Sequence, residues 1–153
     1  MKSMFNTKKP IVSVFLILAL VFVVISFFFS TKNNRNEIIL EGKTFSVEIA
    51  DMDVTRVLGL SGHAPLGDDE GMFFIFEHPG KYGFWMKDMT FPIDIIWIDQ
   101  NFKIVHIENA ISPETYPKIF YPKIPALYVL EIKASVAQKL DLKIADNVKF
   151  LKN

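Results

Sequence analysis

The chain contains no cysteine. That absence excludes a disulfide framework, a thiolate-held zinc or iron–sulfur centre, a thiol nucleophile and a lipid-modified N-terminal cysteine. Histidine is scarce too. The three, His63, His78 and His106, lie in separate segments without His-x-His or His-Glu-x-x-His spacing, so no metal centre is expected. Net charge is also missing: 17 Lys and Arg balance 17 Asp and Glu, no basic stripe occurs, and nucleic acid is not an expected partner. There is no Gly-x-Ser-x-Gly elbow and no phosphate-cradling glycine loop, and nothing calls for a cofactor. Asp68-Asp69-Glu70 lacks the alternating ladder of a dedicated calcium loop and reads as a solvated acidic turn.

What the chain does have is apolar and aromatic. Aromatic residues make up 14% of its 153 positions, too many for a disordered chain, and the length suits one domain with a modest core. Residues 11–29, IVSVFLILALVFVVISFFF, carry no charge. At about 1.5 Å per helical residue they reach close to the roughly 30 Å of a bilayer's hydrocarbon. The exit, Phe27-Phe28-Phe29-Ser30, is too bulky for signal-peptide cleavage, so the segment is expected to stay as a transmembrane signal-anchor helix. Lys2, Lys8 and Lys9 precede it while Lys32 and Arg35 follow, which favours a cytoplasmic N-terminus. The expected organisation is a cytoplasmic tail at 1–10, the anchor at 11–29, a polar tether at 30–37 and an extracytoplasmic domain at 38–153. From Ile38 onward 12 basic residues face 16 acidic ones, so that domain is mildly acidic.

Ile38 to Leu40 and Lys43 to Ala50 flank Glu41-Gly42 and read as two strands joined by a tight turn, Phe45, Val47 and Ile49 sharing one face of the second. Asp51 to Leu60 places Val54, Val57 and Leu58 at helical spacing behind an Asp cap. Gly71 to Phe76 (GMFFIF) is a continuous apolar run, typical of a strand covered on both faces. Ile93 to Asp99 and Phe102 to Asn109 read as a hairpin across Gln100-Asn101. Prolines keep Ser112 to Pro125 from being a central strand or a helix. Ala126 to Ile132 is a strand, Ala134 to Leu142 a short helix and Val148 to Leu151 a last strand. The fold class expected is β-rich α+β: a compact, mostly antiparallel, barrel-like sheet with two short helices, preceded by one transmembrane helix.

Four separated blocks carry a family likeness. They are Gly59-Leu60-Ser61-Gly62, Asp69 to Phe76, Phe84-Trp85-Met86-Lys87-Asp88-Met89 followed by Pro92 to Asp99, and Tyr128-Val129-Leu130-Glu131. In order and spacing they resemble the domain of unknown function 192 family over about Lys43 to Leu151. The resemblance implies a small β-rich fold, in many relatives an extracytoplasmic setting behind a signal or anchor, and no established activity. Three positions depart from the family pattern: His63 replaces a usual Arg, and Ser135 and Ala145 replace usual glycines. Gly59, Gly71 and Pro92 stand in these blocks as structural positions, together with Asp94.

Alternation in an extended segment sends Trp85 and Lys87 one way and Phe84, Met86 and Asp88 the other. A ring beside a cation can bind a sugar or an anion; alternatively Trp85 is core and Lys87 an edge residue whose head reaches water. Asp94 shares a face with Ile96 and Ile98, so its carboxylate needs a partner or a raised pKa. It either pairs with Lys87, bracing the bend at Met89 to Pro92, or acts as a general acid. Glu131 beside Val129 poses the same choice. Asp94 and Glu131 together are the minimum equipment for glycoside hydrolysis, which needs them about 5 to 9.5 Å apart. The tandem Tyr116-Pro117-Lys118-Ile119 and Tyr121-Pro122-Lys123-Ile124 forms either the lip of a binding face or a lid whose Tyr116, Phe120 and Tyr121 fold back on the domain. The leading expectation is a membrane-anchored binding or accessory module of the cell envelope, with Trp85, Lys87, Tyr116 and Tyr121 meeting a glycan or small ligand. A carboxylate-dependent hydrolase of envelope polysaccharide and a scaffold for a protein partner are the alternatives.

Overall fold

A computed structural model describes residues 35–153. The expected tail, membrane span and most of the tether lie outside the described residues. No helix among those described is long and apolar enough to cross a membrane. Seven strands build one sheet: β1 (Asn36–Leu40), β2 (Lys43–Ala50), β3 (Glu70–Gly80), β4 (Ile93–Ile98), β5 (Ile104–Ile111), β6 (Ala126–Lys133) and β7 (Val148–Leu151). Their order is β5-β4-β6-β3-β2-β1-β7, and every neighbouring pair is antiparallel except β2 with β3. That parallel pair is joined by helix α1 (Asp53–Leu58); helix α2 (Val136–Lys139) follows β6. The strand expected from Ile38 begins two residues earlier, so Asn36 and Glu37 belong to the sheet rather than to the tether.

The sheet curls into a half-barrel. The segment before β5 meets the segment before β7: Val148 N–H donates to Phe102 O at 2.9 Å, Ile104 N–H to Asp146 O at 3.0 Å and Ala145 N–H to Ile104 O at 2.8 Å. Both faces are buried, as the GMFFIF run implies. Ile38, Phe45, Phe73, Ile96, Leu130 and Val148 pack on the inner face, which draws on all the strands. Met72, Phe74, Phe84, Ile95, Trp97 and Val129 pack on the outer one. The outer layer is closed by residues 82–92 and by the proline loop, whose Phe120 exchanges two backbone hydrogen bonds with Phe84 at 2.8 and 2.9 Å.

Both helices differ from expectation. Met52, not Asp51, is the N-cap of α1, and its N–H is taken by Thr55 Oγ1 at 3.1 Å. The periodic residues Val54, Val57 and Leu58 are exposed. With only six residues, α1 is too short to lay a full stripe on the sheet. The second helix has four residues instead of nine, entered by Ser135 in a left-handed conformation (φ 67°). Ala145 is also left-handed (φ 76°). These are the two positions where the family pattern has glycine, and here a Cβ occupies each.

Asp94 is fully buried on the inner side of β4. Its Oδ1 accepts from Ala110 N–H at 2.7 Å and Ser135 N–H at 2.9 Å, and its Oδ2 accepts from Ala137 N–H at 2.8 Å. The expected pair with Lys87 does not form: backbone amides surround this carboxylate, and Lys87 is exposed. Asp94 therefore staples β4 to the end of β5 and to the start of α2. Asp94→Asn turns one acceptor into a donor facing an N–H, and it should cost about 1–3 kcal/mol, seen as a lower urea midpoint; an unchanged midpoint would refute the staple. Ala145→Gly removes the left-handed strain and should raise stability by up to about 1 kcal/mol in the same assay.

Candidate functional site

A cavity of about 330 Å³ opens on the outer face, between α1, β3, residues 82–89 and β6. Phe74 and Phe76 reach it from β3, because residues two apart on a strand share a side. Tyr82, Phe84 and Trp85 line it from the segment after β3, where Phe76 and Tyr82 stack at 3.5 Å and Phe74 meets Phe84 edge-on at 4.8 Å. Arg56, Val57 and Leu58 of α1 form another wall, and Glu131 of β6 also lines the cavity.

The turn after α1 is tied to the Trp-Met-Lys block. Ser61 Oγ donates to Lys87 O at 2.8 Å and Gly62 N–H to Asp88 O at 3.1 Å. Gly59 closes α1 at φ 51°, a conformation that favours glycine, and packs its α-carbon toward Phe74. Gly71 pairs with Ile132, and a Cβ there would stand 2.7 Å from the Glu131 carbonyl oxygen. This close approach lets β3 and β6 meet behind the cavity. Pro92, exposed, stands just before β4.

Glu131 is 4% exposed, and its Oε2 has no hydrogen-bond partner. Its strand neighbours across the sheet are Met72 and Ile95, neither able to bond a carboxyl. Burial pushes this carboxyl up to about 8. Arg56 does not neutralise it. That guanidinium donates to Asp51 O, Ile75 O and Asp53 Oδ1, at 2.5, 2.8 and 2.5 Å, and lies over the Phe76 ring.

The site residues read from the sequence divide sharply. Trp85 is 44% exposed at the cavity rim, not in the core, and Tyr116 approaches it edge-on at 6.3 Å. Alternation holds for Phe84 and Met86, both buried, but the chain turns at Lys87-Asp88 and leaves Asp88 outside. Lys87, Tyr116 and Tyr121 are exposed and do not line the cavity, so of the four expected ligand-binding residues it holds Trp85 alone. In the proline loop Phe120 folds inward while Tyr116 and Tyr121 stay out, so only one of the three rings expected of a lid folds back on the domain. Asp94 and Glu131 project from opposite faces of the sheet, since Asp94 pairs with Ile132 and Glu131 with Ile95. They cannot flank one glycosidic bond, and Asp94 has its oxygens occupied. Asp68 is paired with Lys133 at 2.8 Å, which holds its carboxyl below the ordinary value, and Glu70 Oε2 accepts from Gly67 N–H.

The remaining wall residues, Arg56, Phe76 and Tyr82 among them, escape a reading of the sequence because three segments distant in the chain supply them. Phe84 is legible there only as a buried residue.

Glu131 makes stability depend on pH in a defined direction. Between about 4.5 and about 8 the folded chain keeps a proton that the unfolded chain has lost, so stability falls as pH rises through that window. The slope should approach about 1.4 kcal/mol per pH unit. Glu131→Gln should remove this component and match or exceed the parent's stability at pH 8, measured by denaturant unfolding across pH. A parent curve rising from pH 5 to 8, with no gain at pH 8 from the Glu131→Gln substitution, would contradict it.

A family of domains of unknown function, DUF192, described as uncharacterized ACR, matches residues 36–150. A crystal structure of a protein of unknown function from Novosphingobium aromaticivorans superposes with a TM-score of 0.69 at 29% identity, covering 75% of this chain and 83% of its own. One from Sinorhizobium meliloti, named as a candidate transcription regulator, has a TM-score of 0.69 at 28% identity and covers 76% and 92%. No curated protein matches the chain. The half-barrel, its four sequence blocks and the matched span together place this chain in the DUF192 family.

Proposed function

We propose that the chain is a ligand-binding module of the cell envelope, held by residues 11–29 with its C-terminal domain outside, and that its ligand enters the cavity over Glu131. One observation carries the reading: a buried carboxyl with an unpartnered oxygen on the wall of an aromatic cavity. Leaving a buried polar atom unmade is costly, and a site built for a ligand is where such a cost is offset. The cavity volume is at the small end of the range for small-molecule sites. Trp85 at the rim, with Tyr116 edge-on to it, suits a sugar ring or another flat apolar face, which supports a small envelope glycan or a comparable ligand.

The hydrolase reading loses its second carboxylate, because Asp94 serves the other face of the sheet. A protein-docking reading has its own support: Met52, Val54, Val57 and Leu58 lie exposed on and beside α1.

Titration of the full-length chain with envelope oligosaccharides and small aromatic compounds should give saturable binding by calorimetry. Trp85→Ala should weaken it about tenfold or more while leaving the melting temperature within a degree or two. Absence of any saturable ligand, or affinity indifferent to Trp85→Ala, would remove the site from the reading. The placement is checked separately: the chain should resist carbonate extraction from vesicles, and protease added to cells stripped of outer barriers should remove the C-terminal domain.

A further inference from the structure

The geometry points to an organic ammonium ion as the ligand class of this cavity, its N–H donating to the Glu131 carboxyl and its apolar body lying against Phe74, Phe76, Tyr82, Phe84 and Trp85. This rests on the reading of the cavity as a ligand site and narrows it to one charge type.

Oε2 is an acceptor when the carboxyl is ionised, and no described residue of the wall donates to it. The titratable and charged groups on the cavity wall besides Glu131 are Asp53, Arg56 and Tyr82. Arg56 and Asp53 satisfy one another, and Tyr82 Oη donates to His78 O at 2.6 Å. From β3 and β4 the facing residues are Met72 and Ile95, both apolar. Among the described residues, the cavity therefore holds one uncompensated ionisable group, a carboxyl that burial keeps protonated near neutral pH and that a bound cation would ionise. An anionic ligand would hold the carboxyl in its neutral form, gaining no ion pair, and would face the negative faces of the rings. A neutral ligand would leave the carboxyl protonated, with at most a hydrogen bond from it and stacking on the rings, and no charge attraction. A cation is stabilised by the carboxylate and the rings alike, since ring faces attract positive charge and desolvation strengthens the attraction. The cavity already shows this contact once, in the Arg56 guanidinium 5.5 Å from the Phe76 ring centre.

Binding would convert the protonated carboxyl to carboxylate and release its proton to solvent. With Glu131 raised to about 8, affinity for a cation should climb about tenfold per pH unit between pH 6 and 7 and level off above pH 8.

The test uses three probes of similar shape on the full-length chain: benzylammonium, benzyl alcohol and benzoate. Calorimetry at pH 7 in two buffers of different ionisation heat counts the protons released. The expected result is saturable benzylammonium binding, close to one proton released per ligand, the stated pH dependence, and binding at least tenfold weaker for the other two. Glu131→Gln should lose that preference and the proton release, and the proton count on the parent chain stands whether or not that variant folds. Benzyl alcohol or benzoate binding as well as benzylammonium would overturn the cation assignment and leave the cavity a ligand site. Benzylammonium binding without proton release would overturn the role of Glu131. Failure of all three would overturn the assignment too, and the separate oligosaccharide and aromatic titrations would show whether the cavity reading falls with it.

Discussion

A carboxylate cut off from water must find its hydrogen bonds inside the protein, and Asp94 finds them in backbone amides contributed by two distant segments. This one demand organises the end of the half-barrel. It draws the last turn of β5 and the entry to α2 onto β4, and thereby holds the chain as it leaves β6. Asp94 lies opposite Ile132, so the same staple guards the β4–β6 register. Slipping β6 by one residue would turn Glu131 into the inner core and Ile132 into the cavity.

The two buried carboxyls are thus opposites in chemistry as well as in direction. Asp94 is saturated by donors that cannot move without the sheet moving. Glu131 has an oxygen left free, apolar strand neighbours and an aromatic enclosure. Only the second has bonding capacity to offer a visitor, which separates the residue that holds the fold from the one that faces a ligand.

Much of the fold is written locally. The Glu41-Gly42 turn, the doubly covered GMFFIF strand, the β4–β5 hairpin and the loop-forming prolines all follow from neighbours a few residues apart. Alternation also marks Asp94 and Glu131 as carboxyls needing an account. It cannot identify their surroundings. The donors to Asp94 are backbone groups 16 to 43 residues away, and backbone groups leave no signature in side-chain identity. Lys87, the cation in the nearest conspicuous motif, loses to donors no sequence displays. Periodicity likewise predicts a buried stripe for Val54 and Val57, but a six-residue helix beside an open cavity leaves them in solvent. The aromatic enclosure is the least legible feature, because Phe76, Tyr82 and Trp85 converge only after α1, β3 and β6 are placed.

The close packing at Gly71 constrains how this architecture can diversify. With the Glu131 carbonyl already where a side chain would begin, no side chain can be added at that position without parting β3 from β6. Changes in molecular preference among descendants of this chain would accumulate instead at Val57, Leu58 and Trp85, where solvent tolerates exchange. The scaffold is a rigidly paired sheet carrying a socket with interchangeable edges.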